Sequence, residues 1–282
     1  GVFAIGARIP PDQAVRLKPL VSAWRSTGFG WRTDPRDLGS FATNLLEGGY
    51  DEFGRWFTNL LFKPYGARGR RKPDHVLEEY WYEKALEQVV PALGASAFET
   101  VLSWLVAHER YVGRLKRGSD FTYFYRDTVR ARPRDHEDIE QSLIDACRDL
   151  AIDAMGVDPE SATSALLKTN MLLARKIALF SLAEAINRTS AVESGSRLVP
   201  SAMRLLLDDR SCDDSCRIEY AELARAVAAV APDDLEPLAA FLERGPRVDE
   251  DRLRMWLAGE AEEVAEVDAL VKDYQDRWLH RW

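Results

Sequence analysis

Four histidines, three cysteines and many carboxylates are the material for chemistry in these 282 residues. His136 stands with Glu137 and Glu140 in His-Glu-Asp-Ile-Glu-Gln. That is a metal-ligand type of helical face without the second His that a zincin needs at i+4, so a role at a helix start is expected instead. His108-Glu109 closes an apolar helical stretch with no partner nearby, and an imidazolium there would suit the helix dipole. His75 and His280 stand alone. Cys212 and Cys216 lie in Ser-Cys-Asp-Asp-Ser-Cys, and no second Cys or His pair follows at metal-finger spacing. A local disulfide or two thiols is expected there rather than zinc. Cys147, in a helical pattern, reads as a small buried hydrophobe. No phosphate-cradling glycine loop or nucleophile elbow follows a strand. Carboxylates such as Glu78, Glu79 and Glu83 read as a solvated helix face rather than a hydrolytic pair. The sequence therefore predicts no catalytic residue, no metal and no cofactor. An enzyme site would need scattered residues, with His108, His136 or clustered carboxylates converging in a deep pocket.

Binding chemistry is better represented. Gly66-Ala-Arg-Gly-Arg-Arg-Lys72 sets Arg68, Arg70, Arg71 and Lys72 among glycines, a composition able to contact phosphates. A second basic segment carries Arg114, Lys116, Arg117, Arg126, Arg130, Arg132 and Arg134. Phe121, Tyr123, Phe124 and Tyr125 are interleaved with it, as in grooves that hold single-stranded nucleic acid. The same aromatics could instead dock a loop, with the arginines pairing with acids of neighbouring helices. Tyr80-Trp81-Tyr82 cannot all be buried on one helix face, so Tyr80 or Tyr82 is a candidate contact to a neighbour or partner.

The elements that must position these residues are helices. Leu86, Val89, Val90 and Leu93 recur at i, i+3, i+4, i+7, as do Phe98, Val101, Leu102 and Leu105 and then Ile139, Leu143, Ala146 and Leu150. Leu172 to Ala183 is apolar on more than one face and predicts a central helix. The best strand candidates are Val2–Ile5 and Phe121–Tyr125. Pro10-Pro11, Asp34-Pro35, Asp74, Ser96, Asp158-Pro159, Asp233 and Asp249 mark starts, and Gly48-Gly49, Gly94, Gly156 and Gly245 mark stops. About a dozen helices on short turns predict an all-α fold of antiparallel helix pairs, stacked as an irregular HEAT-like solenoid. A compositional shift near Val199 suggests an array over 1–199 and a C-terminal helical subdomain over 200–282, continuing the array or packed differently.

Composition narrows the class. With 46% hydrophobic and 30% charged residues the chain is a folded protein. No apolar run approaching a membrane span is expected, and three cysteines with no signal-like leader fit a reducing cytoplasm. The missing initiator Met and the terminal Trp278 to Trp282 suggest a piece of something larger. Charge is uneven. Residues 1–134 carry 21 Lys+Arg against 15 Asp+Glu, and the remainder 17 against 31, so a net +6 is followed by −14. Two surfaces with different partners would give such a bias, and so would an inert surface.

Val76-Leu-Glu-Glu-Tyr-Trp-Tyr-Glu83, Phe98 to Glu109, and Tyr125-Arg-Asp-Thr-Val followed by Asp135-His-Glu-Asp-Ile-Glu-Gln141 resemble the helical arrays of large bacterial STAND-type NTPases. Ser142 to Asp149 and Leu172 to Leu179 extend the likeness, which spans roughly residues 76–185, with Tyr125 where that pattern has Trp. The resemblance implies a C-terminal recognition array, with a nucleotide-binding domain and an effector elsewhere in the polypeptide, often serving antiviral defence. No nucleotide-binding residue carries over. The expected function is thus a non-catalytic sensor or docking module for a protein partner, with nucleic-acid binding through the basic half as the alternative.

Overall fold

The computed structural model describes residues 1–27, 34–65, 74–117, 119–122, 128–130, 138–189 and 197–244. Within them the chain is almost wholly helical. Helix α4 (Pro35–Glu47) shows why. The Asp34 carboxylate accepts the Arg36 amide at 3.0 Å, Pro35 occupies the first turn, and Leu38, Phe41, Ala42 and Leu45 bury one stripe. The helix ends at Gly48, and Gly49 (φ 78°) turns the chain into α5 (Asp51–Phe62).

The N-terminal strand expectation fails. Val2–Gly6 is helix α1, because Phe3 packs on Phe41 and Phe57 at ring distances of 5.8 and 5.6 Å while Gly6 lies against the Phe41 ring. The Asn44 amide then donates to the carbonyls of Gly6 and Ile9. Packing into the α4–α5 pair overrides the β preference of Val and Ile. Short α2 (Pro11–Ala14) and α3 (Lys18–Thr27) complete this end.

Helices α6 (Glu79–Leu93) and α7 (Ala97–Val112) follow. Contrary to the expectation of no membrane-length apolar run, an 18-residue window within Glu79–Val112 reaches a mean hydropathy of 1.5 and passes the test of length and composition for crossing a membrane. The run is broken at Gly94, whose backbone (φ 54°, ψ −133°) L side chains avoid, and half of the window is buried by the rest of the protein. Its Tyr82 and Trp104 are core residues. The Tyr82 hydroxyl donates to the Phe62 carbonyl at 2.9 Å, and the Trp104 indole donates to Asn59 at 2.9 Å.

A two-stranded hairpin, β1 (Leu115–Lys116) and β2 (Ser119–Asp120), pairs Leu115 with Asp120. Its consequence lies 52 residues on, at α10 (Leu172–Arg188), a helix buried on nearly every face as its sequence predicts. The residue before α10, Met171, makes no side-chain cap. Asp120 instead accepts the Leu172 amide at 2.5 Å and Thr122 the Leu173 amide at 3.1 Å, closing orphan donors that cannot reach water.

Around α10 stand α8 (Ile139–Val157, capped by Asp138), α9 (Pro159–Lys168, capped by Asp158), α11 (Val199–Leu206) and α12 (Arg217–Val230), and α13 (Glu236–Arg244) follows. Packing follows chain order: α4 meets α5 and α6, α7 meets α8, α8 meets α10, and α10 meets α12. The buried side chains form one cluster from Phe3 to Phe241, so residues 200–244 continue the core of 1–199.

Two measurements check this arrangement. Asp120→Ala lowers stability by about 1–2 kcal/mol in urea unfolding, the range for a lost cap; an unchanged midpoint would refute the remote capping. No disulfide joins Cys147, Cys212 and Cys216, and burial pushes each thiol up to about 12. Native protein at pH 8 therefore reacts with Ellman's reagent only as fast as it unfolds, and immediate labelling of any of the three thiols would contradict their burial.

Candidate functional site

The last turn of α7 and the first turn of α8 meet over a buried ionic cluster. Gly113, left-handed at φ 81°, stops α7 and lets Arg114 fold back, its amide bonding the Glu109 carbonyl at 3.1 Å. The Arg114 guanidinium then grips Glu109 with two bonds of 2.9 and 3.2 Å and also donates to Glu140. Glu140 is set in place by Asp138, whose carboxylate accepts the Glu140 amide at 2.8 Å at the start of α8. His108 Nε2 lies 3.5 Å from Glu140 Oε2. On its other side the His75 ring stacks over His108 (5.6 Å, 18°) and meets the Tyr82 ring edge-on at 5.2 Å.

Burial sets the electrostatics. Glu109 is fully buried, and His108 and Glu140 are 4% and 5% exposed. Desolvation pushes the Glu109 carboxyl up to about 7, with the Arg114 bonds opposing and the Glu140 charge adding. Glu140 is also raised, first by burial. His75 is driven down to about 3 and His108 is lowered, both chiefly by desolvation. Loss of water thus works against the imidazolium expected at the end of α7. His108 is not partnerless and His75 is not isolated: tertiary packing brings His108 to Glu140 and stacks His75 on His108. Arg114, assigned from sequence to an exposed basic segment, is consumed by the cluster.

Paired carboxylates and a histidine could move protons, yet these side chains are sealed from solvent as placed. The cluster's visible work is mechanical. It ties down segment 74–75, where Asp74 accepts the Tyr65 amide at 2.9 Å, and also the hairpin and the α8 start. A second buried set secures residues 128–130. The Val129 amide donates to Glu219 (2.9 Å), its carbonyl accepts from Arg148 (3.1 Å), and Arg148 also pairs with Asp145 (2.6 Å).

Of the predicted binding residues, Arg130 is half exposed and paired with Glu222 at 2.5 Å, docking its loop on α12. Tyr80 is 44% and Phe121 46% exposed. Tyr82 cannot contact a partner, since it is wholly buried with its hydroxyl used by Phe62. Arg68, Arg70, Arg71, Lys72, Arg126, Arg132, Arg134, Tyr123 and Tyr125 lie outside the described residues, as do His136 and His280. An open groove of about 490 Å³ runs between α11 and α13, floored by Val199, Met203 and Leu207 and rimmed by Asp233, Asp234 and Glu236; it holds no histidine or cysteine. Sequence proximity joins Glu140 to His136, whereas the fold joins it to Arg114, 26 positions away, which no local pattern signals.

Arg114→Ala leaves two buried carboxylates without their cation and is expected to cost about 3–5 kcal/mol at pH 8 in urea unfolding. A folded carboxyl raised above its unfolded value is stabilising when protonated and loses that contribution as pH rises, so the loss shrinks at pH 5. A deficit independent of pH would argue against this charge balance.

No protein-family model matches the chain, and neither a curated protein nor a solved structure matches it.

Proposed function

We propose that the chain is a non-catalytic binding module of HEAT-like helix pairs, part of a larger cytoplasmic bacterial polypeptide of the STAND NTPase type, which recognises a protein partner. The observation that carries this reading is packing in chain order along one continuous core. Helices stacked on others close in the chain, such as α4 on α6 and α8 on α10, leave successive helix faces for docking, and partner contact at one pair can bias the next. The buried charges support it as well, because the described ones fix helix ends and connections rather than facing a substrate. Exposed Tyr80 lies against Trp81 (4.9 Å), which carries the Arg36 guanidinium 5.1 Å over its ring. Tyr, Trp and Arg together are the usual make-up of an interaction hot spot.

One observation favours the nucleic-acid alternative. His75, just after the basic stretch 66–73, and Asp138, just after 131–137, both touch the His108–Glu140 cluster. Each Arg-rich stretch thus has one described flank at that cluster.

The purified chain, immobilised, is used to capture partners from uninfected and phage-infected bacterial lysates at about 0.15 M salt, with and without nuclease. A protein retained despite nuclease, and lost about tenfold by Arg36→Ala/Tyr80→Ala, is the expected result. Retention abolished by nuclease would put nucleic acid first, and retention unaffected by the double substitution would retire that face.

A further inference from the structure

We infer that His108, Glu109 and Glu140 form a site for one divalent cation of the zinc class, with Arg114 as its outer partner. This goes beyond the binding reading and does not depend on it. The donor set is one imidazole and two carboxylates from the facing ends of α7 and α8, with candidate ligand atoms all within 4.8 Å of one another. Such N/O sets suit borderline ions.

Geometry singles out the pair at the centre. His108 Nε2 and Glu140 Oε2 stand 3.5 Å apart, too far for a strong hydrogen bond. The separation is close to the roughly 3.3 Å between two ligands of a tetrahedral ion with bonds of about 2.0–2.1 Å. A second, independent observation is that buried polar atoms lack partners. His108 Nδ1 and Glu140 Oε1 have none, on side chains 5% and 6% exposed. Both nitrogens of His75, stacked on His108, are unpartnered too, making it the nearest further imidazole among the described residues. Buried donors and acceptors are ordinarily satisfied, so the unpartnered Glu140 Oε1 beside the His108 ring is an acceptor that a cation would suit.

Charge agrees with the geometry. Two carboxylates face one guanidinium, which leaves the ionised cluster one negative charge in a dry setting. A divalent ion coordinated by one nitrogen of His108 and by Glu140 would offset it and could engage the orphaned Glu140 Oε1. The bidentate grip of Arg114 on Glu109 would then orient that carboxylate, as outer partners do at metal sites. An ion here would lock α7 to α8.

The test uses the whole chain, stripped with chelator and titrated with Zn²⁺ and, separately, Co²⁺. Expected are saturation near one ion per chain, a rise in Tm, and a visible Co²⁺ spectrum of low-coordinate type without the thiolate charge-transfer band that Cys212 or Cys216 would give. Glu140→Gln, which keeps shape and removes charge, should weaken binding by about 10- to 100-fold or more. A wild-type chain with no saturable binding and an unmoved Tm overturns the inference whatever the variants do. So does a thiolate band, or equal affinity in a folded Glu140→Gln chain, and the cluster is then an ion-pair network alone.

Discussion

A helix buried on nearly every face obliges the rest of the chain to satisfy its polar groups, and in this protein that helix is α10. Its first amides are met by Asp120 and Thr122 from the hairpin, and its Arg175 by Asp208 and Ser211 from the turn after α11. Its Ser181 hydroxyl reaches the Arg148 carbonyl on α8. Each partner is thereby fixed around α10, because any other placement would strand a donor or a charge away from water. The apolar packing against α8, α9 and α12 supplies the bulk of the burial. The polar ties decide the arrangement in which that burial happens.

The same rule explains the ionic clusters at the ends of the neighbouring helices. Arg114 closes the end of α7 onto the start of α8, and Arg148 with Glu219 holds both backbone groups of Val129. Neither set requires solvent, and both join segments far apart in sequence. Val129 and Glu219 are 90 positions apart. Buried pairs of this kind contribute little net stability against an apolar substitute, but they penalise every arrangement that separates the partners.

What the sequence disclosed divides along this line. Helical stripes such as Phe98–Val101–Leu102–Leu105, the caps at Asp34 and Asp158, the break at Gly94 and the all-round burial of α10 were legible, because each depends on residues within a turn or two. Val2–Ile5 was misread because its conformation is decided by a ring contact with Phe41 and Phe57. The cluster was illegible for a related reason. His108, Glu109 and Arg114 announce themselves only once α8 is docked, and periodicity carries no information about which helix end meets which. A faint signal existed in the left-handed glycine at 113, which turns Arg114 back on the helix it follows.

The encirclement of α10 has a consequence in time. During synthesis the hairpin, α8 and α9 all precede it, so its capping groups and two of its packing partners are present when it emerges. Its contact with α12 must wait until Val230 has been made. At about 5–20 residues per second, the stretch from Arg188 to Val230 takes roughly 2–8 seconds. For that interval α10 presents an uncovered apolar flank to the cell, so the nascent chain passes through a stage at which it most resembles a client for a chaperone.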